Sequence, residues 1–404
     1  MRRAETTDPH DEVGKTVTQP MTQETEHARD RWHRRTFASL RNRNFRAFFI
    51  GQAVSLSGTW MQSVALAWLV LQLTGSATWI GLAIALQTLP VLLLAPYAGV
   101  VIDRVNKRRL LIALQVVAGV QALALGLLTI TGSITMAWVI ALSITLGAVN
   151  AVDNPCRQAF VREMVLAEHV QNAVSLNAVL INIARAVGPA IGGILIATVG
   201  VGTCFLVNGA SFIAVIIAYL SMHVHELHST APVARAPGQL RAGLAYVRRT
   251  RELLIPLVMM AIVGTLTYEF QVVLPAFATD TFGTDAKGFG WITAAMGVGA
   301  IIGGLFTAGQ SRVGIRTLAM ASTAFGLSVG ITAVCPNELL AELGLVLVGA
   351  SSIWFLSTGN ATLQLAAAPE MRGRVMSLWT VAFIGTTPIG GPIVGWISEQ
   401  ASPR

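Results

Sequence analysis

Gly99-Val-Val-Ile-Asp103-Arg104-Val-Asn106-Lys107-Arg108-Arg109 is the stretch whose reading decides the fold. An apolar segment runs into it from Thr78 and another leaves it at Leu110, each near the roughly 20 residues that a helix needs to cross a bilayer. The charges between them must therefore lie at a membrane surface, in a hairpin joining two spans. Arg104, Lys107, Arg108 and Arg109 mark that surface as cytoplasmic, because loop Lys and Arg are retained on that side during insertion.

Working outward, apolar segments of spanning length recur near 47–71, 77–100, 110–131, 134–153, 172–197 and 202–222, and again near 253–278, 287–310, 316–335, 339–362 and 376–398. The chain reads as an all-α integral membrane protein with eleven spans. Residues 1–36 are polar and lack an apolar core, so they form neither a signal peptide nor a folded unit but a disordered cytoplasmic tail. The first six-span half occupies 37–222, a cytoplasmic linker 223–252, and a second half of five spans 253–404. Within the linker, Leu244 and Val247 share a helical face opposite Arg241, Arg248, Arg249 and Arg251, which predicts a helix lying on the membrane surface. His223, His225 and His228 read as solvated linker residues rather than metal ligands.

Loop charge tests the count. Arg29 to Arg46, the 99–109 hairpin, Arg157 with Arg162, the linker, Arg312 with Arg316, and Arg372 with Arg374 all fall on one side, whereas the opposite connections contain one basic residue, Lys287. The N-terminus of a multi-pass plasma-membrane protein is therefore inside and the C-terminus, after eleven crossings, outside.

The chain is 53% hydrophobic and 12% charged. Its net charge of +8 would suit a nucleic acid, but the basic residues sit at span ends, where topology accounts for them, and no nucleic-acid partner is expected. Cys156, Cys204 and Cys335 lie far apart without metal-ligand spacing and read as unpaired packing residues. No G-x-x-x-x-G-K-S/T loop and no Ser-His or His-Glu-x-x-His constellation is found. Neither ATP-driven nor enzymatic chemistry is expected, and no catalytic residue, metal or cofactor is assigned.

Two residues carry charge where apolar segments should exclude it. Arg185 lies at the centre of the fifth span, sharing a helical face with Ser175, Asn182 and Pro189, and a cation there costs roughly 2.5 to 3.5 kcal/mol on insertion scales. Glu269, flanked by Thr265 and Tyr268, is the carboxylate inside the seventh span. The expectation is that Arg185 and Glu269 meet in a wet central chamber, where substrate or conformational change separates them and Glu269 takes up a proton. A static buried ion pair or a substrate-orienting charge is the competing reading. An internal repeat supports two related halves: Ser175 to Gly188 aligns without gaps on Ser377 to Gly390, with Gly193 on Gly395 and Arg185 on Thr387.

Gly99-x-x-x-Asp103-Arg104-x-x-Lys107-Arg108 after the second span resembles the loop signature of the major facilitator superfamily, with Asn106 where that family's second glycine usually stands. The resemblance implies a major facilitator fold of two six-helix-type halves. The element missing from twelve is the last peripheral helix, so the chain reads as cut before a twelfth span. It also implies a cytoplasmic gate of Gly99, Asp103, Arg104, Lys107 and Arg108, with Asp153 as the anion that Lys107 or Arg108 meets and Arg157 adjoining; positive-inside topology alone is the plainer alternative. Gly188-Pro189-Ala-Ile-Gly192-Gly193 resembles the antiporter signature of drug exporters in this superfamily, although generic small-residue packing would place the same residues there.

In that family spans 1, 4, 7 and 10 line the cavity. Gln52, Ser55, Thr59 and Gln62, then Ser143, Asn150 and Asn154, then Ser357, Asn360 and Gln364 recur at helical spacing on those spans. With Trp60, Tyr268 and Trp354 they would make a weakly polar wall suited to an amphipathic molecule. Leu40-Arg-Asn-Arg-Asn-Phe-Arg46, Gly58-Thr-Trp-Met-Gln62, Leu73-Thr-Gly-Ser76 and Asn154-Pro-Cys-Arg-Gln-Ala-Phe-Val161 are similar to bacterial exporters of the enterobactin-exporter type. The expectation is a monomeric secondary transporter that exports a drug, siderophore or similar metabolite, driven by the proton gradient without a cofactor. Its partners are a small molecule, protons and the lipid bilayer. A facilitator or importer of a small metabolite, or a transport-inactive membrane sensor or scaffold, are the alternatives.

Overall fold

The computed structural model describes residues 38–228, 239–310, 313–368 and 370–403. The tail expected over 1–36, part of the linker and Arg312 lie outside the described residues. Among these residues every regular element is helical. Only helices and closed barrels satisfy the backbone at membrane depth, where no water is available to replace a lost partner.

The first six spans are α1 (Arg43–Thr74), α2 (Ala77–Arg104), α3 (Lys107–Ile130), α4 (Met136–Glu163), α5 (Val170–Val199) and α6 (Val201–Leu220). Side-chain oxygens set their starts: Asn42 accepts from the Phe45 N–H and Ser76 from Trp79. Asn106, standing where the family's glycine usually does, accepts the Arg109 N–H at 3.0 Å and so opens α3. The fourth span is longer than the apolar pattern implies, because α4 continues through Pro155 to Glu163; Asp153 and Arg157 thus lie within a helix rather than at its end.

The amphipathic α7 (Gln239–Arg249) follows. Val247 is buried in the second half, but Leu244, expected on the same face, is exposed. The remaining spans are α8 (Arg251–Leu266) with α9 (Phe270–Ala276), α10 (Ala286–Ala308), α11 (Ile315–Ala333), α12 (Glu338–Ala366), and α13 (Arg372–Ile384) with α14 (Thr387–Gln400). Eleven segments are thus long and apolar enough to cross a membrane, as hydropathy predicts. Leu327, Leu343, Ile217 and many other large apolar side chains face outward, which lipid rather than water accommodates.

Two spans are broken, both in the second half. Between α8 and α9 the Thr267 and Tyr268 N–H groups both turn back to the Val263 carbonyl, and the chain restarts at Glu269. Between α13 and α14 the chain passes through Gly385 and Thr386, and Pro388 sits in the first turn of α14, where its missing N–H leaves no helical bond unmade.

In the first bundle α1 packs on α5 and α6, α2 on α4, and α3 on α4 and α6; in the second, α10 packs on α12, α12 on α11, and α13 on α8. The bundles meet through α5 with α10, α2 with α14, and α9 with α1 and α2. These contacts gather at the end opposite the basic loops. A Cβ on Gly193 would overlap the Gly290 carbonyl, and one on Gly81 the Gly391 carbonyl, so backbones touch directly. Trp68 stacks on Phe289 at 4.8 Å, and Gln271 donates to the Ser63 hydroxyl at 3.1 Å.

Glu399, in the last turn of α14, accepts from the Ser76 hydroxyl, the Thr78 N–H (2.9 Å) and the Thr78 hydroxyl (2.7 Å). Its carboxylate therefore sits on the positive end of α2 in the other half.

One apolar cluster, from Val64 and Ile80 through Ile196 to Val272, Phe289 and Ile292, joins the two halves at this end. At the basic end the core divides into a cluster within the first half (Phe45, Phe160, Tyr219) and a separate one within the second (Leu257, Phe355, Trp379). Among the described residues the molecule is closed at one end and parted at the other.

Gly290→Val should force the closed end apart. Gln271→Cys in a cysteine-free chain is then labelled several-fold faster by a membrane-impermeant maleimide than in the Gly290 parent, and unchanged labelling would show that the glycines do not hold the closure. Glu399→Ala should weaken the closed state by about 1 kcal/mol, read in the same assay as a smaller gain in labelling.

Candidate functional site

The two breaks place their first residues against each other. Glu269, at the restart of span 7, is buried at 4% exposure. Its side chain faces that of Thr387, the first residue of α14. Gly390, one turn on, lies against Thr265 O and Glu269 Oε1, where a side chain would not fit. The alignment of Gly188 with Gly390 holds in space. Gly188 packs against the Ser57 carbonyl and Trp60 on α1, as Gly390 packs against the Thr265 carbonyl and Glu269 on span 7.

Arg185 lies halfway along α5. The expected ion pair with Glu269 is not made: the carboxylate faces Thr387 and the guanidinium faces rings. Its Cζ lies over Trp60 of α1 at 5.1 Å from the centroid and over Phe383 of α13 at 5.2 Å. Two desolvated cation–π contacts of about 2 kcal/mol each are enough to offset the roughly 2.5 to 3.5 kcal/mol insertion cost, so the charge is tolerable without an anion. Tyr268 belongs to the same group. Its ring meets Phe383 edge-on at 5.5 Å, and its hydroxyl donates to the Ser352 carbonyl at 2.7 Å. Trp60, Arg185, Tyr268, Glu269, Phe383 and Thr387 thus converge at mid-depth from spans 1, 5, 7 and 11, where the contact between the halves ends.

The stripe expected to line a cavity on span 1 turns the other way. Gln52, at 2% exposure, donates to the Tyr219 hydroxyl (3.0 Å) and accepts from Arg157 (3.0 Å). Gln62, equally buried, donates to Gln121 (3.2 Å) and accepts from Asn208 (2.7 Å). Ser55 is buried beside them, so these residues tie α1 to α3, α4 and α6 inside the first bundle. Thr59 bonds the Ser55 carbonyl, Thr265 that of Ala261, and Asn182 that of Ala178, each on its own helix. Asn150 and Ser357 are half-buried, and Asn360 accepts from Gln364. Trp354 lies elsewhere, donating to Gln310 and meeting Phe306 in an apolar cleft of about 350 Å³ between α10, α11 and α12.

The gate residues are also paired differently from expectation. Lys107 pairs with Glu163 at 2.7 Å, and Arg108 donates to the Tyr219 (2.6 Å) and Leu220 (3.0 Å) carbonyls. Asp153 meets neither. It is buried with Arg157 at 3.5 Å and accepts from Gln115 at 2.7 Å. All these partners belong to the first half, and Arg104 is exposed. The side chains at Gly99 and Asp103 lie outside the described residues. In the glycine motif, Gly188 and Gly192 pack on α1 and Gly193 on α10, with Pro189 inside α5, so the motif forms both the bundle's own packing and its seam with the other half. His223 pairs with Glu226 at 3.1 Å while Asn44 bonds its backbone both ways; Cys156 and Cys204 are free, buried thiols.

Sequence reasoning missed Phe383 and Glu399. Phe383 is one apolar residue among many, and Glu399 closes a contact over 320 residues away in sequence.

Two helical bundles that meet at one end and break their helices at mid-depth define a secondary transporter of the major facilitator type. A bacterial homolog to the human lysosomal transporter Spinster, in inward-facing and unoccupied conformation, has the same fold: TM-score 0.67 at 14% identity, over 88% of this chain and 82% of that one. The chain belongs to the transmembrane secretion effector family, whose model matches residues 34–403. It is similar to the staphyloferrin A transporter of Staphylococcus aureus (25% identity, covering 82% of this chain and 84% of that protein). It is also similar to the multidrug efflux pump Tap of Mycolicibacterium fortuitum (27%, covering 85% and 87%) and to the enterobactin exporter EntS of Shigella boydii (24%, covering 89% and 86%). The protein is a multi-pass membrane transporter, not an enzyme.

Because Arg157 and Asp153 are buried and fully bonded, removing one partner strands the other. Arg157→Ala should destabilise the detergent-solubilised protein by about 3 to 5 kcal/mol, seen as a large drop in melting temperature. The double change Arg157→Met with Asp153→Leu should cost clearly less. Equal losses would mean the charges matter separately.

Proposed function

We propose that the protein exports an amphipathic organic molecule across the plasma membrane in exchange for protons, by alternating access. The basic loops make the parted end cytoplasmic and put the N-terminus inside, so this conformation is the one open to the cytoplasm. Named exporters and efflux pumps among the relatives favour the outward direction.

The observation that carries the reading is the contact between Glu269 and Thr387 across two facing helix breaks. Discontinuous helices at mid-depth are where secondary transporters place substrate and coupling ions, because unwound backbone is tolerated there only beside a cavity or protein. Glu269 adjoins the seams that must part when the molecule opens outward: Gln271 on Ser63 and Gly391 on Gly81. Rocking therefore exposes the carboxyl to one side and then the other, and Glu269 is the proton carrier. In the outward-open state the hairpin carrying Asp103, Lys107 and Arg108 closes the cytoplasmic end. Asn150, Tyr268, Thr265, Ser357 and Asn360 belong to the walls of the chamber.

The test is compound-induced proton release in proteoliposomes, screened with hydrophobic cations, macrolides and siderophores. Glu269→Gln should abolish proton-driven movement while leaving binding of the same compound unchanged. Intact coupled transport in that variant would overturn the assignment.

A further inference from the structure

We infer that Arg185 is the receptor for a carboxylate on the transported molecule. This rests on the exporter reading for calling that molecule a substrate, and it separates the roles of the two mid-depth charges: Glu269 carries the proton and Arg185 selects the cargo.

The argument is one of unspent donors. A guanidinium offers five N–H donors in a fixed plane and accepts nothing. An aromatic face attracts its positive charge but supplies no lone pair. Arg185 has two such faces, from Trp60 and Phe383, and among the described residues it makes no hydrogen bond or ion pair. Its Nε is fully buried and meets no acceptor.

The neighbouring polar groups are turned to other partners, and none of them makes a hydrogen bond to the guanidinium. Glu269 faces Thr387, the Tyr268 hydroxyl donates to the Ser352 carbonyl, and the Asn182 amide donates to the Ala178 carbonyl one turn back on α5. The contrast within the protein is direct. Arg157, buried inside the first bundle, spends its donors on Asp153, Gln52 and Asn154. A guanidinium with its charge satisfied and its donors free is built to take a planar acceptor, and a carboxylate matches that fork in bidentate fashion. Trp60 belongs to the first half and Phe383 to the second, so the site lies where rocking changes its walls. Apolar rings beside a carboxylate receptor select an aromatic or otherwise amphipathic acid.

The experiment uses a matched probe pair, tetramethylrhodamine with its free carboxylate and tetramethylrhodamine methyl ester, with the full chain in lipid nanodiscs and signal from empty discs subtracted. The acid should bind about tenfold or more tighter than the ester, as expected for a charge-assisted bidentate contact. Arg185→Gln should remove that preference by weakening the acid alone. Arg185→Lys keeps the charge but not the planar fork, so it should retain only part of the preference; it serves as the readout if the Gln variant does not fold. Equal affinity for the two dyes, an undiminished preference in either variant, or binding of neither dye overturns the inference. Proton-driven export of the ester, lost in Glu269→Gln and indifferent to Arg185, would leave the exporter reading standing and this one false. Arg185-dependent binding of the acid without proton-driven movement of either dye would do the reverse.

Discussion

Close contact of bare backbone between the halves, Gly193 on Gly290 and Gly81 on Gly391, is the constraint on which the arrangement turns. In lipid there is no hydrophobic drive to push two bundles together, since acyl chains are as apolar as Leu. Association depends on van der Waals fit and on the few polar contacts that lipid cannot offer. At the closed end both are present: four glycines bring carbonyls to van der Waals range, and Glu399 reaches across to the start of α2. At the basic end neither is present among the described residues. A seam confined to one end is also a fulcrum. The halves can part there and meet at the other end without rebuilding either interior, because each keeps its own apolar cluster at the basic end.

The polar residues divide by role along the same line. Inside the first bundle, Gln52 with Arg157, Asp153 and Gln115, and Gln62 with Gln121 and Asn208, hold α1, α3, α4 and α6 as a unit. Side-chain bonds that cross between helices stiffen the bundle that holds them, and a rocking mechanism needs rigid bodies. Between the bundles, at mid-depth, polar groups are few. Glu269 faces one hydroxyl and Arg185 has no hydrogen-bond partner among the described residues, so what these groups do is left to what enters between the halves.

Much of this was legible in the residues. Eleven spans, their alternating loop charge and the repeat linking α5 to the last span follow from hydropathy, insertion bias and spacing, all of which act locally along the chain. Arg185 and Glu269 stood out because charge at membrane depth is costly wherever it points. What helical spacing could not supply was azimuth. Gln52, Ser55, Thr59 and Gln62 form a stripe in sequence, and a stripe facing the bundle's interior has the same period as one facing a cavity. The break at Glu269 had no signal in the sequence, since Leu266-Thr-Tyr-Glu269 contains no Gly or Pro. The break before α14 had its Gly385 and Pro388 in plain view.

The repeat makes the asymmetry of the site instructive. Arg185 and Thr387 occupy matching positions on spans 5 and 11, each packed by a glycine one turn later against the partner span of its own half. In the second half that position holds a hydroxyl facing a carboxyl; in the first it holds a guanidinium facing an aromatic ring. Two halves descended from one plan would place like groups at both positions, and two guanidinium groups there would repel. Having Thr387 at one of them gives Glu269 a neutral neighbour and leaves Arg185 without an anion among the described residues. An exchanger that trades protons for a second species gains from such a division, because the two binding events then use different groups and are coupled only through the motion of the walls between them.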